Sequence, residues 1–169
     1  MNKFLIFITL IFSVSILAGG VDPSKLPAAV KKALNRFLPK ANPDNCSWEL
    51  WANEKGYFGK CKLVEGDESS PNVDFDVGKN GQNPSATYTL ESTQFSGHID
   101  QKMLEAAGKS FTKLEGTETE PDSVRVKLGA YGKVQSYIFF HSSNDIILQV
   151  QFSAEGKQIG KALRLGRGG

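Results

Sequence analysis

Alternating apolar and polar residues dominate the middle and end of this chain. Trp48, Leu50 and Ala52 alternate with Ser47, Glu49 and Trp51, the period-two pattern of a half-buried strand. Tyr57 to Val64 supplies a hairpin partner. In VDFDV, Val73, Phe75 and Val77 point inward and Asp74 and Asp76 outward; GKNG then signals a turn, and ATYTLE a further strand. Later come Val124, Val126 and Leu128, a GAYG turn, the dense run VQSYIFFH, an SSND turn and IILQVQF. Tyr137 to Phe140 is apolar on both parities, which predicts an interior strand covered on both faces.

Two segments carry the helical period instead. Leu26, Val30, Ala33, Leu34 and Phe37 form one stripe, with Lys31, Lys32 and Arg36 outward. Ser24 is a candidate N-cap, Pro27 is tolerable in the first turn, and Pro39 and Pro43 end the helix. In SGHIDQKMLEAAGKSF, Ile99, Met103, Leu104, Ala107 and Phe111 share a side, interrupted only by Gly108.

The same plan runs twice, from Ser47 and again from Ser123, seventy-six positions on. Gly56 falls on Gly132 and Gln82 on Gln158, while Val73 and Phe75 fall on Val150 and Phe152 one residue later. The expectation is an α+β fold of two tandem helix-plus-antiparallel-sheet units, α-β-β-β-β then α-β-β-β, with the helices on one face of the sheet. The units span 21–96 and 97–160, after a signal at 1–20 and before a basic, Gly-rich tail at 161–169. Ala162 to Leu165 matches Ala86 to Thr89 and can begin one more strand before GRGG.

The first twenty residues read as an export signal. Lys3 precedes FLIFITLIFSVSILA, an apolar run of about 15 residues that is short of the roughly 20 needed to span a bilayer. Ala18 and Gly20 suit cleavage. Leu17-Ala18-Gly19-Gly20 resembles a lipoprotein signal with Gly in place of the acylated Cys, so the expectation is a secreted or periplasmic protein without stable membrane insertion. With 20 basic and 18 acidic side chains, bulk charge gives no pull toward nucleic acid. The basic excess gathers late, at Lys157, Lys161, Arg164 and Arg167.

Cys46 and Cys61 bracket the first hairpin. If they face each other, Trp48 lies opposite Gly59 and Leu50 opposite Tyr57, with the turn at Asn53-Glu54. Every pair on that face is then apolar or small. A disulfide there fits an oxidising compartment and contributes about 3 kcal/mol in the chain-entropy model; the alternative is two reduced, buried thiols. Asp122 and Tyr137 hold the matching places in the second half.

With these elements in place, the chain resembles the PepSY-like, or beta-lactamase-inhibitor-like, group of exported bacterial domains. The likeness rests on LPAAVKKALNRFLPKA and on strands ending VDFDVGKNG and VQFSAEGK. It implies an amphipathic helix opened by Leu-Pro, then antiparallel strands, and a non-enzymatic role in binding or inhibiting other proteins. The second half departs from it, with Asp100-Gln101 at the helix opening and Ser153 at the place of Asp76. One helix across an antiparallel sheet, duplicated, also looks like tandem cystatin-type inhibitors. WANEKGY and LGAYGKV, however, lack the Gln-x-Val-x-Gly hairpin of that group.

Signatures of catalysis are missing: no Gly-x-Ser-x-Gly, phosphate-binding glycine loop, His-Glu-x-x-His or Cys-x-x-Cys. His98 and His141 read as surface or capping groups. Asp67, Glu68, Asp74 and Asp76 read as a solvated acidic stretch rather than a Ca²⁺ site. Asn45-Cys46-Ser47 is a glycosylation sequon. No enzyme activity, cofactor or metal is expected.

The expected function is binding of a protein partner, with inhibition of a hydrolase as one form of it. Trp51, Lys55, Phe58 and Tyr131 at the hairpin turns are the candidate contacts. Were the helix to cover that face instead, Trp51 and Phe58 would be core and Trp48 would point outward. An alternative function is a small-ligand or lipid carrier with a pocket lined by Ile138, Phe140, Leu148 and Val150. The sequence leaves the oligomeric state open.

Overall fold

The Leu26-Pro27 step starts the first helix. Pro27 is extended (φ −56°, ψ 143°), and its carbonyl accepts from the N–H groups of Val30 and Lys31. Helix α1 (Ala28–Phe37) follows. Ser24 is not its cap: Ser24 donates its N–H to Asp22 within a separate 3-10 turn, Pro23–Lys25. The computed structural model describes residues 20–143 and 145–166, so the predicted signal, apart from Gly20, and Arg167 lie outside the described residues.

Strands β1 (Ser47–Leu50), β2 (Gly56–Lys62), β3 (Asn72–Gly78) and β4 (Ser85–Glu91) come next. Helix α2 (Gln101–Glu115) precedes β5 (Ser123–Leu128), β6 (Val134–Ser143), β7 (Ile146–Ser153) and β8 (Gln158–Gly166). The Asp100 carboxylate caps α2 by accepting from the Lys102 N–H at 2.7 Å. Gly116, left-handed at φ 77°, ends it, a conformation that glycine adopts without a Cβ penalty.

All eight strands form one antiparallel sheet whose spatial order is the chain order. This overturns the expectation of two tandem helix-plus-sheet units. Pairing of β4 with β5 runs unbroken from Ala86↔Leu128 to Glu91↔Ser123, so no boundary divides the strands into two sheets. The physical reason is that separate units would leave β4 and β5 as open edges, with rows of unpaired N–H and C=O groups. The second half also has a full fourth strand: β8 takes in residues 158–166, most of the stretch read as a tail.

The register read from the cysteines holds. Trp48 pairs with Gly59 and Leu50 with Tyr57, and Cys46 and Cys61 form a disulfide with their Cα atoms 4.5 Å apart. Trp48 is the inward residue; its indole donates to the Pro43 carbonyl at 2.9 Å and meets Phe75 edge to face at 6.3 Å.

One hydrophobic core lies between the sheet and the two helices. Val30 and Leu34 from α1, and Ala107 and Phe111 from α2, are fully buried with Val73, Phe75, Val77, Val124, Val126 and Phe139. Alternation puts these strand residues on a single face. Gly81 (φ 74°) lets the β3–β4 turn touch α1, since a Cβ there would sit 2.7 Å from the Ala29 carbonyl oxygen.

Among the described residues no helix packs on the opposite face. Tyr137 to Phe140 is therefore covered on one face only, contrary to expectation. Phe139 is buried, whereas Ile138 and Phe140 lie half-buried on the helix-free face. The apolar character of Phe140 is accounted for by the Arg125 guanidinium, 5.6 Å from the ring centroid, a cation–π contact. Phe139 pairs with Val150 and Phe140 with Gln149, so Ile138 and Phe140 are on the face away from Leu148 and Val150. These four residues do not line one pocket.

Candidate interaction surface

Trp51 follows β1 directly and closes the hairpin: its N–H donates to the Gly56 carbonyl at 2.9 Å, and its carbonyl accepts from Glu54 at 2.7 Å. The indole lies on Gly56, where a Cβ would come within 2.6 Å of the ring. A side chain at residue 56 would expel it. Gly56 shares the parity of Phe58, so Trp51 lies on the helix-free face.

Phe58 pairs with Asp76 across β2 and β3, which puts the Asp76 carboxylate on the same face of the sheet as the Trp51 indole. Burial raises the pKa of Asp76 above the ordinary carboxylate value; the nearby Trp51 side chain opposes this and the neighbouring Asp74 charge adds to it. The Lys60 ammonium sits 5.8 Å from the centroid of the Phe58 ring. Trp51, Phe58, Lys60, Asp74 and Asp76 thus make an aromatic patch edged by charge. A half-exposed indole held in one position loses little freedom on contact, which is what an interface anchor needs.

Lys55 is exposed at the tip, its N–H donating to Asn53 Oδ1 at 3.0 Å. Glu54 beside it is left-handed at φ 55°. Tyr131 is 69% exposed and also left-handed (φ 62°, ψ 26°), a conformation uncommon for a bulky residue and enriched at functional positions. Its turn, Ala130–Gly132, packs beside the end of α1: a Cβ on Gly132 would lie 3.6 Å from the Phe37 carbonyl oxygen. The Trp51 and Tyr131 turns occur at the same end of the sheet, after the parallel-running β1 and β5, about 19 Å apart at ~4.8 Å per strand. Trp51 and Phe58 share one face of the hairpin, and Lys55 is exposed in the turn beside them; Tyr131 belongs to a turn packed by the end of α1.

The remaining titratable residues do not converge. Among the described residues no group of three or more His, Cys, Asp or Glu could hold a metal ion. The Asp67 pKa is lowered by hydrogen bonds from the side chain and backbone of Ser69, a local turn rather than a ligand cage. His141 Nδ1 is 2.8 Å from the Glu120 carbonyl oxygen, and His98 is exposed ahead of α2. Asn45 of the sequon is exposed and hydrogen-bonds Glu65 through its side-chain amide.

Sequence reasoning passed over two features of the helix-free face. Alternation alone puts Asp76 in solvent, whereas it is half-buried on that face. Ile159, Leu163 and Leu165, each 41–51% exposed, form one row on β8, although the expected boundary at 160 divides Ile159 from the other two. Among the described residues no helix is long and apolar enough to cross a membrane. No family model, curated protein or solved structure matches this chain.

Proposed function

We propose that this chain is an exported, non-enzymatic protein that binds a protein partner through the helix-free side of the first hairpin. Trp51 is the anchor, Phe58 the adjoining apolar contact and Lys55 the charge at the tip. The observation that carries this reading is the indole of Trp51, lying directly on Gly56 on a face that no helix covers among the described residues. Export is supported by the apolar run after Lys3 and by the Cys46–Cys61 bridge, since disulfides persist in oxidising compartments. The likeness to PepSY-like exported domains supports the same reading and adds hydrolase inhibition as its most specific form.

Affinity capture from the native envelope or culture medium tests it, with wild type, Trp51→Ala and Tyr131→Ala as baits. Trp51→Ala is expected to lose the partner, because interface anchors of this kind contribute about 2 kcal/mol or more. Equal recovery by all three baits refutes the hairpin as the docking site.

A further inference from the structure

Strand β8 is the other end of the sheet, and among the described residues it pairs only with β7. Gly160, at φ 75°, marks a bulge: Gln149 pairs with Leu163 but Gln151 with Ile159, so β8 carries the extra residues. On the helix-free face, Ile159, Leu163 and Leu165 continue the rows of Ile138, Phe140 and Ile147 through these registers. On the helix side, a groove of about 440 Å³ between α2 and β8 is lined by Ser110, Lys113, Leu114, Gln158, Lys161 and Ala162. Ser110 Oγ meets Gln158 Oε1 at 3.0 Å, and the Gln158 amide donates to the Gly160 carbonyl at 3.0 Å, which fixes the bulge against the helix.

The charge at this edge has one sign in excess. Arg164 Nε lies 3.7 Å from Glu115 Oε1, too long for a hydrogen bond, and that buried oxygen has no hydrogen-bond partner. Lys113 and Lys161 form no ion pair among the described residues. The segment Gln158–Gly166 contains no carboxylate.

We infer that the β8 edge accepts an extended acidic peptide as a ninth, antiparallel strand. Its backbone pairs with the open edge, its apolar side chains extend the row of Ile159, Leu163 and Leu165, and its alternate acidic side chains enter the groove beside Lys113 and Lys161. Charge decides the occupant. A second copy pairing through β8 would bring Lys161 of both copies to one seam; Glu115 already lies beside Arg164, and β8 itself supplies no carboxylate for Lys161. Residues 1–19 of this chain contain Lys3 and no acid, so they fit no better. The site is separate from the Trp51 surface and does not depend on it.

Fluorescence anisotropy with a labelled eight-residue peptide of alternating glutamate and valine, against the lysine–valine counterpart, tests the inference on the full chain. Hydrogen exchange of the β8 amides is read in parallel. The glutamate peptide is expected to bind, to slow exchange in β8, and to weaken as salt rises. Lys161→Glu and Leu163→Glu, both at exposed positions, are each expected to weaken it about tenfold or more, while Trp51→Ala leaves it unchanged. Equal binding of both peptides, or no loss in Lys161→Glu, overturns the inference. So does protection, in the free protein, of the β8 amides that point away from β7: in a dimer this assigns the edge to a second copy, and in a monomer to another segment of the same chain. Thermal melts of the two β8 variants, expected to match wild type, separate lost binding from lost folding.

Discussion

Adding a single methyl at Gly59 tests the packing that supports the first hairpin. A Cβ at this position would lie 2.7 Å from Trp48 Cζ3 and 2.9 Å from both Cε3 and Cη2, whereas carbon–carbon contacts settle near ~3.5–4.0 Å. The ring would have to retreat by about 1 Å, and it has nowhere to go. Its nitrogen is bonded to the Pro43 carbonyl, its edge meets Phe75, and only 2% of Trp48 is exposed. The strands cannot easily part either, because the disulfide joins them just beyond this pair. Gly59→Ala is therefore expected to destabilise by about 2 kcal/mol, within the range for overpacked cores. With a urea m-value of about 2 kcal/mol/M, the midpoint falls by about 1 M. In a Trp48→Leu background the methyl meets a smaller neighbour, and its cost drops to about 0.5 kcal/mol, a coupling of about 1.5 kcal/mol. Circular dichroism reports all four unfolding curves without relying on tryptophan emission. An equal penalty in both backgrounds would show that the ring is not what Gly59 accommodates.

Replacing both Cys46 and Cys61 by Ala opens a loop with a sequence separation of 15 and is expected to cost about 3 kcal/mol; an unchanged urea midpoint would remove the bridge as a source of stability. Asp76 gives a pH prediction whose sign follows from burial, which raises its folded pKa above the ordinary value. The folded chain then holds this proton more tightly than the unfolded chain, so stability is lost as pH rises from the ordinary carboxylate value through the raised one. Asp76→Asn should abolish that part of the slope and be more stable than wild type at neutral pH. Urea midpoints on either side of the interval check this, and an undiminished slope in Asp76→Asn rejects the assignment.

Local geometry was legible in the sequence; partnership between distant segments was not. The hairpin register follows from alternation plus the spacing of two cysteines, since aligning Cys46 with Cys61 determines every later pair. The parity of Trp51 placed it opposite Trp48, as the structure has it. Merging of β4 with β5 carries no such signal. Their pairing begins at Glu91 and resumes at Ser123, beyond a helix, and both strands read as half-buried whether joined or separate. Strand β8 was obscured by its bulge, because Gly160 and Lys161 interrupt the alternation that Leu163 and Leu165 resume. The double-sided apolar run at Phe140 misled because a half-buried ring facing a guanidinium 5.6 Å from its centroid needs no helix over it. Likewise, the placing of Asp76 beside Phe58 on the face of Trp51 depends on a strand pairing that sequence spacing does not encode.

The two margins of the sheet differ, and the difference limits how the molecule can assemble. Strand β1 is short and partly occupied: the Val21 N–H donates to the Trp48 carbonyl at 2.7 Å, and Gly20 bridges Glu49. A fibre built by strand addition needs two open margins, one to receive and one to offer. Among the described residues the long open margin lies on one side only, so strand addition at β8 presents no second open margin of the same kind from which a fibre could grow.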